Sequence, residues 1–580
     1  MNNRYLALTI GPIGATLQNT RSTKAMWAAS YLFSWIMREV LRGVNNTPGV
    51  QLLNLSYRKK AISTKGVGLF PDRFVARLDK GVQLNVKTVA SNILDTLVGK
   101  MTADLNNPAI QRVDGSGQKK APVPPFDRNE IHDFMRNYLR LISIEFTLQP
   151  DEDNPVKKAN DYLNSLELQA SFAPIQPRDY LAAFFEDLLY NEFIRQEFAS
   201  AGFRSTPEIA TSTFRARNIK DYDAAVKDLR QWDGDNSETA RLKQEEFIEA
   251  VKKIDETRFK LCHKYIAIVH ADGDNIGKLF EALALLDKKQ LPSDGIPRAI
   301  RLTEHIAEFS LAAAAKIKEF DGVPVYAGGD DLLFFAPVSV EDKEEGQWKR
   351  RDIFNLINDL DELFIEKVLA GSAVDKDTLK TLKDQNKIPS MSYGVSISHH
   401  KYPLGESLKK AQSDLLFGSI KSGSRRNGIA WRLTKHSGAG FGCVLEKGRE
   451  NGVFAAFNNL KEAKFPAGEK PDTFLASVIY KLESLEGLFV ATADKPNYAD
   501  HFYNILFNNF NESIHRDEID KQKLSPYLKK VHVLLVACFA ENPQPVSEKS
   551  GDKTEWVKQT LQVAYAVLRF IHFLDTSDKS

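Results

Sequence analysis

Cysteine is scarce. Cys262, Cys443 and Cys538 are the only three in 580 residues, and they lie far apart. That spacing excludes a disulfide framework, and the lack of any Cys-x-x-Cys pair excludes a Cys-rich zinc site. The composition reads as that of a reduced, intracellular protein, with the cytoplasm as its expected location. A charge excess of one sign is also missing. The 78 Lys and Arg against 76 Asp and Glu leave a formal +2, which excludes a uniformly basic nucleic-acid binder. Long apolar runs are missing too: those around Trp27–Met37 and Val531–Ala540 fall far short of the ~20 residues a membrane span needs. Arg4 precedes the apolar stretch Tyr5–Ile10, but Gly11-Pro12 cuts it before a signal-peptide core is complete. No membrane association is expected.

What is present is a globular balance, 43% hydrophobic and 27% charged residues. This excludes disorder across the chain and supplies apolar material for several cores. The length corresponds to roughly four domains at about 150 residues each. Tyr5–Ile10 reads as a strand ended by Gly11-Pro12. From Ser22 to about Leu41, Ala28, Leu32, Trp35 and Glu39 form one stripe of a buried helix, with Trp27, Tyr31 and Arg38 beside it. Gln51–Tyr57 and Phe74–Leu78 read as further strands, residues 112–126 as a Gly/Pro/Lys loop between helical stretches, and 155–260 as mostly helical.

The interval 262–435 is the most regular. The buried-strand pattern Tyr265–Ala271 runs into Asp272-Gly-Asp-Asn-Ile-Gly277, and a helix over about 275–286 follows. Leu302, Ile306, Phe309, Ala313, Ile317 and Phe320 advance by three or four residues, which is one helical face. Val323–Ala327 and Leu332–Ala336 bracket Gly328-Gly-Asp-Asp331 as a hairpin. A helix around 353–369, a strand at 392–398, a helix at 404–417 and a strand at 428–433 complete a split β-α-β-β-α-β plan with a flanking pair. Residues 440–580 read as helical, with a polar break near 542–553. Tyr5–Leu41 and Tyr265–Leu286 echo each other as strand followed directly by helix, which suggests two related domains.

The chemistry lies in the acids. Asp272 stands where a strand ends and a helix begins; Asp330 and Asp331 stand at a hairpin tip. In a βαββ unit these positions can meet, and clustered carboxylates cost free energy unless a cation compensates them. Mg²⁺ or Mn²⁺ suits such a site, since one or two carboxylates plus substrate phosphates and water complete its shell. Two ions about 4 Å apart would activate a hydroxyl and stabilise a leaving pyrophosphate. Gly328 and Gly329 leave room for a nucleotide. The amides after Asp272 (Gly273, Asp274, Asn275, Gly277) can cradle phosphates, and Lys278, Lys421 and Arg425 can add positive charge. Taken singly, Gly-Gly-Asp-Asp is an ordinary turn, Asp-Gly-Asp-Asn fits a calcium-type loop or helix cap, and the 421–427 run fits a solvated loop.

Ala271–Lys278 and Tyr326–Leu333 together resemble the second Palm domain of the CRISPR-associated polymerase/cyclase large subunit of type III effector complexes. Tyr5–Ile13, Trp27–Phe33 and Leu69–Ala76 resemble the first Palm of its Cmr-type branch. The resemblance implies an α+β fold of two ferredoxin-like Palm domains with a helical inter-Palm region and a helical C-terminal domain: 1–170 first Palm without a metal site, 171–258 helical, 259–436 second Palm, 437–580 helical. It implies Asp272 and Asp330 as metal ligands, with Asp331 assisting, in one centre, and ATP as substrate. The product would be a cyclic oligoadenylate messenger or, in a subset, an AMP conjugate with S-adenosylmethionine as co-substrate. The implied partners are other Cmr-type subunits, crRNA and target RNA. RNA affinity would come from local patches such as Arg58-Lys-Lys60 or from those partners.

Two family features are expected to be missing. The first strand begins near residue 4, which leaves no room for an HD nuclease domain, and His132-Asp133 reads as structural. The cysteine count rules out the family's zinc insertion. The alternative is a catalytically silent scaffold subunit of the crRNA complex. A diguanylate cyclase is disfavoured, because Leu332 follows Asp331 where Phe ordinarily follows a second acid.

Overall fold

In the computed structural model, residues 4–54, 64–108, 125–149, 154–168, 179–185, 192–198, 203–230, 238–344, 347–423, 426–463, 471–510, 519–520, 523–524, 526–544 and 553–578 are described. Arg58-Lys-Lys60, most of the 112–126 loop, Arg425 and most of the 542–553 break lie outside them. The fold is α+β, and none of the described helices is long and apolar enough to cross a membrane.

The first sheet contains β1 (Arg4–Gly11), β2 (Val50–Leu52), β3 (Arg73–Leu78) and β4 (Arg140–Thr147) in the order β2-β3-β1-β4. Its central strand β1 pairs antiparallel with both β3 and β4. Leu6, Ala7 and Leu8 are fully buried, as a strand flanked on both edges and covered on both faces requires. The helix Thr23–Asn45 starts where the Ser22 side chain caps the Ala25 amide, an N-cap of the usual kind. It is buried along nearly its whole length. The helix Pro155–Leu168 supplies Ala159 and Leu163, which pack with Ala7 and Val75.

The second sheet uses β5 (Tyr265–Asp274), β6 (Val323–Gly328), β7 (Asp331–Pro337), β8 (Ser339–Glu344), β9 (Gln347–Asp352), β10 (Ser390–His399), β11 (Gly428–Thr434) and β12 (Gly440–Glu446). Of these, β8 and β9 form a separate two-stranded ribbon; the rest lie in the order β12-β11-β10-β5-β7-β6. Read by order of appearance, β6-β7-β5-β10 repeats β2-β3-β1-β4: second, third, first, fourth. The strand-helix echo between the two regions thus extends to a shared sheet topology. Helix Arg298–Glu319 buries Leu302, Ile306, Phe309, Ala313 and Ile317, the face that the three-and-four spacing picked out.

Several elements differ from the sequence reading. Strand β4 was not anticipated: Arg140–Thr147 alternates half-buried and exposed positions without a wholly apolar face. The β8–β9 ribbon is strongly charged and opposes Glu341 to Arg350 and Asp342 to Lys349, pairs that stabilise neighbouring strands by charge complementarity. The helices around 353–369 and 404–417 each pass into wide turns, Ile365–Leu369 and Lys410–Lys421.

By contact density the chain forms two compact units. One comprises Met1–Ile254, Ile268–Met391 and Lys401–Lys409; the other comprises Asp255–Ala267, Ser392–His400 and Lys410–Ser580. Within the second, Phe570 of the helix Lys553–Asp575 packs against Trp431 and Phe457 at ring distances of 5.4 and 5.9 Å. The end of that helix is tied back by Lys264–Asp578 at 2.8 Å.

Leu163→Ala removes a fully buried side chain from the first-sheet core and is expected to destabilise that unit by about 2–5 kcal/mol. A lowered urea midpoint reads this out. Leu168→Ala on the same helix, at a position 89% exposed, serves as the control and should change little.

Candidate functional site

Strand β5 is apolar and buried from Ile266 to Val269 and again at Ala271, so it delivers Asp272 to the point where the sheet ends. The next strand in the sheet, β7, begins at Asp331. Adjacent strands thus bring the two acidic motifs together, and the Asp272 charge acts on the Asp331 carboxyl. Asp330 comes closer still to β5. A β-carbon at Gly273 would overlap an Asp330 carboxylate oxygen and stand 2.7 Å from the Asp330 β-carbon. Glycine at 273 is what allows the hairpin tip to settle against the strand end.

Gly328 pairs with Asp331, leaving Gly329 and Asp330 as a two-residue turn. Gly329 has φ +70°, the conformation that a type II′ turn needs at its first central position. Nothing lies within 4 Å of a β-carbon built at Gly329, so this side of the turn is open to a ligand. The turn is clamped from behind by the buried Ser310 hydroxyl, 2.8 Å from the Gly329 carbonyl and 3.0 Å from the Ile306 carbonyl.

The other expected site residues are distributed differently. Asp274 is buried and accepts a 2.9 Å hydrogen bond from the Ser390 hydroxyl. Asn275, left-handed at φ +59°, caps the helix Ile276–Lys289, and its side-chain amide donates to the Ile388 carbonyl at 3.2 Å. Gly277 is exposed at the helix start. Lys278 pairs with Glu281 at 2.9 Å on the surface. Lys421 ends the wide turn Lys410–Lys421 in the second unit, its carbonyl accepting from Arg426. His132 lies 3.6 Å from Asp95 and 3.8 Å from Asp133.

Three residues escaped the sequence reading: Ser310, Tyr326 and Asp72. The first-sheet segment at Gly68 forms a parallel bridge to Tyr326, and Asp72 follows it. Partial withdrawal from water raises the half-exposed Asp72 carboxyl above the usual range; the Arg73 guanidinium, 4.0 Å away, opposes this and the Glu167 charge adds to it. Arg73 is itself engaged by Glu167 at 2.7 Å and Asn164 at 2.8 Å. Asp72 and Tyr326 lie inside motifs already noted, but only the long-range approach of the two sheets reveals their common location.

Burial, then the neighbouring Asp330 and Asp272 charges, push Asp331 well above the ordinary carboxylate range, with Asp72 adding to the effect. Burial and the Asp331, Asp72 and Asp330 charges likewise hold the Tyr326 phenol well above its usual value. The named influences on Asp331 all act in one direction, which is the imbalance a divalent cation relieves. The oxygen donors Asp272, Asp330 and Asp331 fit Mg²⁺ or Mn²⁺ chemistry. Among the described residues, no group of three or more His, Cys, Asp or Glu side chains is arranged to hold a metal ion. Phosphate and water oxygens would have to complete the shell.

The sheet order and the acids at the ends of β5 and the hairpin define a palm domain of the nucleotidyltransferase kind. Residues 265–430 match the family described as Cas10/Cmr2, second palm domain. The chain is 27% identical over 194 residues to the CRISPR system Cmr subunit Cmr2 of Pyrococcus furiosus, a match covering 30% of this chain and 19% of that protein. Among solved structures, the type III-B Cmr-beta apo state matches with a TM-score of 0.54 at 13% identity, over 98% of this chain and 82% of that one. Cmr-beta bound to cognate target RNA gives 0.53 at 12% identity, over 98% and 83%. These likenesses extend the shared fold beyond the second palm.

The raised Asp331 predicts a pH signature. Below about pH 4 the carboxyl is protonated in folded and unfolded chains alike and carries no penalty. As pH rises, the unfolded chain ionises freely while the folded one resists, so stability is lost up to the folded pKa. In EDTA, Asp331→Asn should therefore melt several degrees above the parent near neutral pH and lose that advantage toward pH 4. Thermal melts across pH test this, and added Mg²⁺ should raise the parent's melting temperature more than the variant's.

Proposed function

We propose that this chain is a target-RNA-activated nucleotidyltransferase of a type III CRISPR antiviral complex, using ATP with Mg²⁺ or Mn²⁺ to make a signalling nucleotide. The observation that carries this reading is the meeting of Asp272, Asp330 and Asp331 beside the open face of Gly329. In the reaction, an acceptor oxygen forms a bond to the α-phosphorus of ATP, the bond to pyrophosphate breaks, and the acceptor's proton is released. Asp272 and Asp330 would hold the cation, with Asp331 assisting; when bound, the cation offsets triphosphate charge and makes the attacking hydroxyl more acidic. The residues of the chain act by placement. Gly273 admits Asp330, and Ser310 fixes the turn. Other Cmr-type subunits, crRNA and target RNA are the partners this reading requires. The likenesses to the Cmr subunit Cmr2 and to Cmr-beta bound to cognate target RNA support it.

For the acceptor, one feature favours the S-adenosylmethionine branch over a second ATP. Asp72 adds a first-palm carboxyl to the field at Asp331 and Tyr326, and its neighbour Arg73, 4.0 Å from it, is shared with Glu167 and Asn164. Negative charge on this side attracts a sulfonium or ammonium group and repels a second triphosphate.

The test is to incubate the assembled complex with labelled ATP, Mg²⁺ and matching target RNA, with and without S-adenosylmethionine, and to resolve the products by mass. Asp330→Ala combined with Asp331→Ala is expected to abolish product while assembly and target binding persist. Product surviving that change would overturn the site. No product from the parent complex, with target still bound, would favour the scaffold. Asp72→Asn should raise the KM for S-adenosylmethionine roughly tenfold or more, the scale of one lost charged hydrogen bond, with a smaller effect on ATP.

A further inference from the structure

Tyr326 spans the distance between the first palm and the catalytic turn. Its Cδ2 lies 3.2 Å from where a β-carbon on Gly68 would stand, a position the Ser34 β-carbon crowds equally; on the same ring edge its Cε2 lies 2.8 Å from where one on Gly328 would stand, with the hydroxyl closer still. Two glycines, one from each palm, thus leave the volume that the ring fills. Backbone bonds hold the arrangement: Gly68 N–H donates to the Val325 carbonyl at 3.4 Å, and Ala327 N–H donates to the Gly68 carbonyl at 2.8 Å. The Gly68 segment is itself anchored to the helix Thr23–Asn45. The Ser34 hydroxyl accepts from Phe70 N–H at 2.9 Å, and the Trp27 indole donates to the Gly66 carbonyl at 3.3 Å.

We propose that Tyr326 is a positioning residue, a rigid wedge seated on Gly68 that sets the Gly328–Asp331 turn against the first palm. The proposal rests on the nucleotidyltransferase reading and adds to it a physical link between the palm without the paired acids and the palm that has them. An aromatic ring has only two side-chain torsions, so it transmits a displacement of Gly68 to the turn instead of absorbing it. A misplacement of about 1 Å at reacting groups can cost on the order of 10²-fold in rate. On this account the ring matters and the hydroxyl does not.

The experiment uses Tyr326→Phe, Tyr326→Ala, Gly68→Ala and the Tyr326→Ala/Gly68→Ala double variant in the assembled complex. Two readouts are taken: kcat and KM for ATP with target RNA, and hydrogen–deuterium exchange over residues 323–337. Tyr326→Phe is expected within about threefold of the parent. Tyr326→Ala and Gly68→Ala should each lose at least tenfold in kcat, with less than a threefold change in KM, and should speed exchange at the turn. The double variant should fall no further than the worse single, since wedge and seat act as one unit.

Tyr326→Phe falling as far as Tyr326→Ala would overturn the wedge in favour of hydroxyl chemistry. Additive losses, or unchanged exchange in Tyr326→Ala, would overturn it as well. The exchange readout decides the matter even without turnover, whereas activity surviving the loss of both Asp330 and Asp331 would count against the underlying reading alone.

Discussion

Carboxylates crowded at one strand end repel each other, and the surrounding structure holds them together in spite of this. Asp272 is placed by a strand whose buried apolar residues cannot slide without exposing themselves, because a one-residue slip turns every side chain to the other face. Asp330 and Asp331 are placed by a turn that Ser310 grips from behind. Burial and the Asp330 and Asp272 charges raise the Asp331 carboxyl, and a proton held there relieves part of the repulsion. The rest is left for a cation and its ligand, and this conserves binding energy: a site already neutralised by its own lysines would have little reason to take up metal-bound triphosphate.

Much of this was legible in the sequence where the information is local. The β5 pattern, the helical face from Leu302 onward and the Gly-Gly-Asp-Asp hairpin all announce themselves through periodicity and turn chemistry within a few residues. Strand β4 and the β8–β9 ribbon do not, because their polar and charged alternation lacks the apolar contrast on which such reading depends. Within the site, Asp272, Asp330 and Asp331 could be brought together from strand order. Asp274 and Asn275 stand in the same motif yet bond to Ser390 and Ile388, a division that residue type alone does not reveal. Ser310 lies on another helix and Asp72 in the loop before β3, beyond the range of any local signal.

The two sheets share one strand order but differ in what stands at the end of the first strand. In the second it is Asp272; in the first it is Gly11-Pro12, with Asp72 in the loop before β3 and Glu167 bonded to Thr9. One scaffold thus carries an acid at that strand end in one copy and only flanking acids in the other.

Strand β6 lies at the border of its sheet, where unpaired backbone groups would normally invite another strand. Here Pro324 lacks an amide hydrogen, the register shifts between Pro324 and Tyr326, and Gly68 takes the backbone groups flanking Tyr326. These are three separate obstacles to strand addition on a single six-residue element. The border nearest the chemistry is closed to sheet extension, so a protein that docks there must recognise side chains and loop surface. An invading backbone, whether from a second copy or from an aggregating neighbour, finds no template on that side.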